Sequence, residues 1–295
     1  MLTFADTLQV IISGVAIGCV YALMALGFTL TYNSLRLINF AQGDMYMLGA
    51  VFGLMCVNLG IPYALSLVLG GLGAALFGVL INWLIFRPLR GYAALNLIIA
   101  TIGVSTTIRA ASLQIWGSAA MAYPRVYSAE PIKLGSVQIM PSYLWVIIIA
   151  ALAMIVMQLF FQKTKIGKAI RATAQNRNAA AMMGIPVQRM DALAAAISAF
   201  LGGIGGVLVG PIFYVETEMG ALAGLKGFAA AVLGGFGSVP GAIIGGVVLG
   251  LSENLGASFI STAYKDAIAF VILILVLILM PNGIMGGKGK RVKKI

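Results

Sequence analysis

Histidine is absent from this 295-residue chain. That removes imidazole-based nucleophilic triads, imidazole ligation of zinc or haem, and histidine proton relays. Charge is scarce too: 9% of residues are charged, 19 basic and 8 acidic, against about 25% in soluble domains. So few charges cannot cover the surface of a soluble fold of this size, which excludes a soluble enzyme. Only two cysteines occur, Cys19 and Cys56, both inside apolar stretches, which argues against a disulfide framework. No G-x-x-x-x-G-K-[ST] motif occurs, because each Gly-Lys pair is followed by Ala169, Gly289 or Arg291, and there is no G-x-G-x-x-G. ATP binding through a P-loop is excluded, so any ATP-driven work must come through a partner.

What is present is apolar. The AVILMFWYC residues make 61% of the chain and the mean hydropathy is +1.04. That excess must face lipid. The 37 glycines, about twice the usual share, suit membrane helices whose backbones approach closely. Apolar runs of roughly 20 residues predict spans at 9–31, 40–59, 63–86, 93–113, 143–162, 190–212 and 264–281. A further stretch, 222–255, is interrupted at Gly237-Ser238-Val239-Pro240-Gly241. Each half is expected to be only about 15 residues long, too short to span comfortably. The expectation is therefore an all-α polytopic bundle of about 7–9 transmembrane segments with an interrupted or re-entrant pair near 222–255. The break reads either as a gate, since irregular backbone at membrane depth often marks a pathway, or as a plain loop. The N-terminus, with Asp6 and no early Lys or Arg, does not read as a cleavable signal.

Basic residues predict the orientation. Arg36, Arg87, Arg90, Lys163, Lys165, Lys168, Arg171, Arg177, Arg189, Lys288, Lys290, Arg291, Lys293 and Lys294 fall on one side if the N-terminus is outside. Asp6, Glu130, Glu216 and Glu218 fall on the other, with Arg125 and Lys133. An outer N-terminus and a cytoplasmic C-terminus need an odd number of crossings, so the broken stretch adds none or two. Residues 163–189 form the longest inner connection, and 114–142 the outer loop. The inner one reads as a basic amphipathic helix, a short turn over Asn176–Met183, and a stop at Gly184-Ile185-Pro186. It either lies on anionic headgroups or presents a rigid helix to a cytoplasmic partner.

Polar residues inside spans ask for a reason. Asp44 is expected to cap the second helix near its cytoplasmic end. Arg109, in an unusually polar fourth span, either snorkels outward or pairs inside the bundle. Glu253 and Asn254 close the broken stretch, and Lys265 with Asp266 reads as interfacial anchoring. No pair of acids at i, i+3 or i+4 occurs within a span, which disfavours an ion-coupled carrier or a carboxylate-based membrane enzyme.

The stretch from Ile38 to Gly49, Ile-Asn-Phe-Ala-Gln-Gly-Asp-Met-Tyr-Met-Leu-Gly, resembles the INFAHGExYMxGA signature of LivH-type branched-chain amino-acid ABC-transporter permeases. Lys226 to Gly246 and the ending Tyr264-Lys265-Asp266 … Met280-Pro281-Asn282-Gly283-Ile284 are similar to further signatures of that family, so the likeness covers essentially the whole chain as one permease domain, 1–295. Gln42-Gly43-Asp44 departs from the family's His-Gly-Glu, so no histidine role carries over. The resemblance implies an importer of leucine, isoleucine and valine. Its partners are a second, different permease subunit, two cytoplasmic P-loop ATPases, an external substrate-binding protein and membrane lipid. No cofactor, metal, catalytic residue or nucleic acid is implied. ATPase coupling falls to Ala179, Ala180, Ala181, Gly184 and Ile185, together with the basic Arg171 and Arg177. A pathway or gate role falls to Asn39, Gln42, Asp44, Gly237, Ser238 and Gly241. Related permeases carrying urea, sugars or nucleosides keep the cargo open.

Overall fold

A computed structural model describes residues 4–285 apart from 37, 90, 125, 128, 129, 135, 136, 260 and 281. Among the expected inner charges, Arg90 and the basic run from Lys288 lie outside the described residues, as does the outer Arg125. The helices are α1 (Phe4–Leu35), α2 (Gln42–Asn58), α3 (Tyr63–Ile81, continued by a π-turn Asn82–Phe86), α4 (Ala94–Trp116), α5 (Pro141–Lys163), α6 (Lys165–Gln175), α7 (Arg177–Met182), α8 (Val187–Val209), α9 (Met219–Gly234), α10 (Val239–Phe259) and α11 (Lys265–Leu279). The loop between α4 and α5 adds a short antiparallel hairpin, β1 (Ile132–Leu134) with β2 (Val137–Ile139), a small β element that hydropathy alone did not predict.

Seven of the described helices are long and apolar enough to cross a membrane; six fall on expected spans, and the seventh is α10 in place of the span expected at 40–59. α2 has 17 residues and α9 has 16, whereas α10 has 21 and is long enough alone. The expectation of two equal short halves in 222–255 is thereby corrected. The interruption falls at Gly235–Ser238, ahead of Pro240, because proline is tolerated in a helix's first turn. α1, at 32 residues or about 48 Å, exceeds the roughly 30 Å hydrocarbon thickness.

Glycine contacts bring the bundle together. α1 runs antiparallel to α10, with Gly14 and Gly18 packed on the backbone of Gly250, Val247 and Gly246. α3 runs antiparallel to α8, with Gly70, Gly71 and Gly78 against Val207, Ile204 and Ala195. α2 crosses α8 where Gly49 meets Gly203 and Gly206 meets the Tyr46 carbonyl. A Cβ at Gly18, Gly49, Gly70, Gly78 or Gly206 would strike backbone, and one at Gly71 would strike the Phe200 ring, so glycine here is a packing requirement rather than a source of flexibility. The contacts also fix direction. α1 runs from the end bearing the N-terminus to the end bearing α6 and α7, and α8 returns beside it from Asp191–Ser34 through Ser198–Gly27.

Candidate translocation site and coupling surface

α1 ends at Leu35, level with the start of α8, and the chain then turns back into the bundle. Arg36 takes a positive φ of 56°, Asn39 Oδ1 accepts from the Ala41 amide (3.1 Å), and the Phe40 amide donates to Thr101 Oγ1 (3.3 Å). α2 therefore begins not at the membrane surface but beside Ser198, the central residue of α8. Gln42, 1% exposed, donates from Nε2 to the Ser198 carbonyl (2.9 Å), and the Ser198 hydroxyl lies 2.9 Å from Gln42 Oε1 and 2.7 Å from the Gly27 carbonyl. Thr31 donates to the same hydroxyl (2.9 Å). Gln42 thus clamps α1, α2 and α8 together, and Asn39 caps the turn.

α9 likewise begins inside the bundle. After α8 the segment 210–218 turns back, held by backbone hydrogen bonds between Met121 and Val215 (2.9 Å each way), while Tyr123 donates to the Ala50 carbonyl (3.1 Å). Burial pushes the Tyr123 phenol above the usual tyrosine range. The first turns of α2 and α9 then pass each other at mid-depth, Gly43 packing on Gly220 and Gly224. Neither helix has a capping side-chain hydrogen bond, so two partly positive helix ends meet there.

Asp44 sits in the first turn of α2, 1% exposed. It holds the expected place at the start of α2, where the helix dipole favours an acid, but makes no N-cap hydrogen bond, and it lies at mid-depth. Its Oδ1 is 3.3 Å from Arg109 Nε. Arg109 pairs inside the bundle instead of snorkelling: Nη2 donates to Ser105 Oγ (2.8 Å) and Nη1 reaches Glu218 Oε2 (3.5 Å). Asp44 Oδ2 and Arg109 Nε are buried and make no hydrogen bond. Both groups line a cleft of about 210 Å³ with Phe28, Phe40, Ile102, Leu225 and Phe228 on its walls and Gly220, Ala221 and Gly224 from the first turns of α9. Of the expected pathway residues, only Asp44 reaches this cleft. Gly237 and Ser238 lie in the α9–α10 turn and Gly241 in the first turn of α10, at the other level, where Asn33 Nδ2 donates to the Gly237 carbonyl (2.9 Å) beside Arg36, Arg171 and Gln175.

The 163–189 connection holds two capped helices. Thr164 separates α5 from α6, and its hydroxyl accepts from the Gly167 amide (3.0 Å); Asn176 Oδ1 accepts from the Ala179 amide (3.0 Å) and starts α7. α7 stops in a Schellman motif: Ile185 N donates to the Ala180 carbonyl, Gly184 N to the Ala181 carbonyl, and Gly184 has φ +80°. Ala180 is buried, while Ala179, Ala181 and Arg171 are exposed. Arg177 points inward, donating to Asp191 from Nη2 (2.6 Å) and Nη1 (3.1 Å) and to the Ser34 carbonyl (2.7 Å); the Ser34 hydroxyl also donates to Asp191 (2.8 Å). Asp191 is 0% exposed. The exposed tip is Met182 and Met183, 88% and 82% accessible. Sequence reasoning passed over both, although two large apolar residues directly before a helix-stopping glycine were the signal.

A second charged group was also missed. Lys226, buried in α9, reaches Glu253 Oε1 of α10 (2.8 Å) and Asp266 Oδ1 (2.6 Å), and Lys265 joins through Glu253 (3.4 Å). Lys265 and Asp266 therefore tie α11 to α9 and α10, which replaces the anchoring role expected of them. The signal was Lys226 itself, the one ionisable side chain inside the signature from 226 to 246.

Comparison with known proteins agrees with this architecture. Residues 10–277 match the model of a family described as branched-chain amino acid transport system / permease component. The chain is 36% identical over 299 residues to the high-affinity branched-chain amino acid transport system permease protein LivH of Salmonella typhimurium, covering 96% of each. It is 34% identical to the corresponding permease protein BraD of Pseudomonas aeruginosa, covering 95% of each. Among solved structures, PsaBC from Streptococcus pneumoniae in complex with Fab shares the fold at a TM-score of 0.51 with 13% identity, over 93% of this chain and 92% of that one. With its family model matched along nearly its whole length, the chain belongs to the branched-chain amino acid transport system permease components.

Proposed function

We propose that this chain is one of two membrane subunits of an ATP-driven importer that carries leucine, isoleucine and valine into the cell. Family membership and the apolar helices make it a multi-pass inner-membrane transport subunit rather than an enzyme. The cargo, the partners and the orientation, with the N-terminus outside and the C-terminus cytoplasmic, form the proposal. A second permease subunit, two cytoplasmic ATPases and an external binding protein complete the assembly. On its exposed side α4 presents Gly103, Thr106, Thr107 and Ala110 next to the cleft; this small, weakly polar face suits the second permease.

The observation that carries the reading is the construction of α6–α7. A lipid-held loop needs charge but no stiff tip. Here a short helix capped at both ends holds Met182 and Met183 outward and bolts inward through Arg177 to Asp191 and Ser34. Force applied at that tip passes into α1 and α8, and from them through Ser198 and Gln42 to the start of α2. Closure of the ATPases on ATP would push there and rock the bundle between inward- and outward-facing forms. In this mechanism Ala179, Ala181 and Gly184 shape the docking surface, Ala180 and Ile185 seat α7, Arg171 supplies surface charge and Arg177 is the strut.

The test is uptake of labelled leucine by proteoliposomes containing both permeases, with the ATPases and ATP inside and the binding protein outside. Uptake that stops when hydrolysis is blocked supports the proposal. Transport by the purified chain alone down an ion gradient overturns it. Uptake of urea or a sugar with no amino acid overturns the cargo assignment.

A further inference from the structure

We propose that Asp44 and Arg109 form a substrate-binding pair within the membrane: Asp44 takes the α-ammonium and Arg109 the α-carboxylate of a zwitterionic amino acid, with the aliphatic side chain against Phe28, Phe40 and Phe228. This rests on the amino-acid cargo proposed above.

Three observations converge on it. The first is the unmet bonding at the cleft: Asp44 Oδ2, an acceptor, is buried without a hydrogen bond, and Arg109 Nε, a buried donor, makes none and meets only Asp44 Oδ1 at 3.3 Å. A buried charged group left in that state is costly, and a zwitterion presents the complementary donor and acceptor on one carbon. The second is the α9 helix end, which lacks a capping side chain and faces the same cleft through Gly220 and Ala221. Such ends stabilise a carboxylate, as at the interrupted helices of other transporters. The third is the wall. Phe28 and Phe228 meet edge to face (5.8 Å), and Phe40 lies against Phe228 (6.1 Å), giving an apolar face beside the charged pair. About 210 Å³ suits one amino acid rather than a drug-sized ligand.

The arrangement also suits transit. When empty, the site neutralises itself through the Asp44–Arg109 contact, and cargo exchanges that contact for two of its own with no change in net charge. Competition from the resting pair keeps affinity low, which favours release. Glu218, at 3.5 Å and with its side chain 71% exposed, holds the guanidinium from one side and leaves Asp44 Oδ2 free.

The experiment uses the full complex in proteoliposomes with the D44N, R109Q and D44N/R109Q variants, and reads both leucine uptake and ATP hydrolysis stimulated by the binding protein. Each single variant is expected to lower uptake roughly ten- to hundred-fold while stimulated hydrolysis persists. The double variant removes both charges, so it avoids an unpaired buried ion and assembles even if a single variant does not. A purely structural ion pair predicts that it regains uptake; a substrate site predicts that it does not. Recovery of uptake in the double variant overturns the proposal. Photo-leucine, a diazirine analogue, is expected to label peptides containing Phe40 or Phe228 in the wild-type complex and not in the double variant; equal labelling in both overturns it as well. If the wild-type complex carries no amino acid, the cargo reading fails instead, and the two failures are thereby distinguished.

Discussion

Replacing Arg177 by methionine separates force transmission from docking. Asp191 is fully buried and accepts two hydrogen bonds from Arg177 and one from Ser34. Truncating one partner of a buried charge pair costs about 3–5 kcal/mol. The Arg177 side chain is 37% exposed, so water that replaces the guanidinium recovers part of this, and about 1–3 kcal/mol is expected at this site. That is enough to free α7 from α8 without unfolding the bundle, whose glycine contacts lie elsewhere.

The expected R177M phenotype is an assembled complex that hydrolyses ATP but moves several-fold less leucine per ATP. R177K restores charge but cannot bond both Asp191 oxygens and the Ser34 carbonyl at once, so it is expected to recover only partly. R177M/D191N removes the buried charge and should restore thermal stability without restoring coupling, a separation read from a double-mutant cycle. The assay is the ratio of uptake to hydrolysis in proteoliposomes, beside co-purification of the ATPases. If R177M loses the ATPases altogether, Arg177 is a docking contact and the strut argument is wrong. An unchanged ratio refutes it equally.

Three further outcomes follow from the packing. Gly49→Val is expected to abolish accumulation of folded protein, because its Cβ would strike the Gly203 backbone; a normal yield with an unshifted Tm rejects the close α2–α8 crossing. Gly184→Ala has open space but keeps φ +80°, so it should cost only about 1 kcal/mol, seen as a small fall in uptake per ATP and little change in Tm; a large loss of stability contradicts the isolated cap. Cysteines placed at Ser238 and Met182, in a background with Cys56 replaced, should react from the same side of the membrane, and one at Asn58 from the other. Opposite labelling of Ser238 and Met182 breaks the helix directions given above.

Composition reached the class of the fold because it follows from the solvent: lipid demands the apolar excess. Local backbone chemistry made the stop at Gly184-Ile185-Pro186 legible, whereas the Thr164 and Asn176 caps that divide the connection into two helices came only from the structure. Depth was not legible. A hydropathy window treats an apolar residue at the surface and at the midplane alike, so residues 40–59 read as a full span although α2 starts opposite Ser198. For the same reason the irregular backbone was expected at Gly237–Gly241, where glycine and proline are conspicuous. In the structure the mid-depth turns are at 36–41 and 210–218, and their backbone groups are met by Thr101, Asn39 and Met121. These partners come from distant or locally unremarkable positions.

Pairing was hidden for a related reason. Asp44 lies 65 positions before Arg109, and Lys226 lies 27 before Glu253, separations that no helical period links. Each charge alone looks like a cost at membrane depth, and only the fold reveals that the cost is shared. Both groups keep one buried carboxylate oxygen without a hydrogen bond, Glu253 Oε2 and Asp44 Oδ2. They differ in what surrounds it. In the Lys226 group one lysine bridges two carboxylates, the arrangement joins three helices, and Glu253 is fully buried. Asp44 and Arg109 instead line an open cleft walled by Phe28, Phe40 and Phe228. An acceptor closed in among helices serves cohesion alone, whereas one at the edge of a cleft can receive the ammonium of a zwitterion.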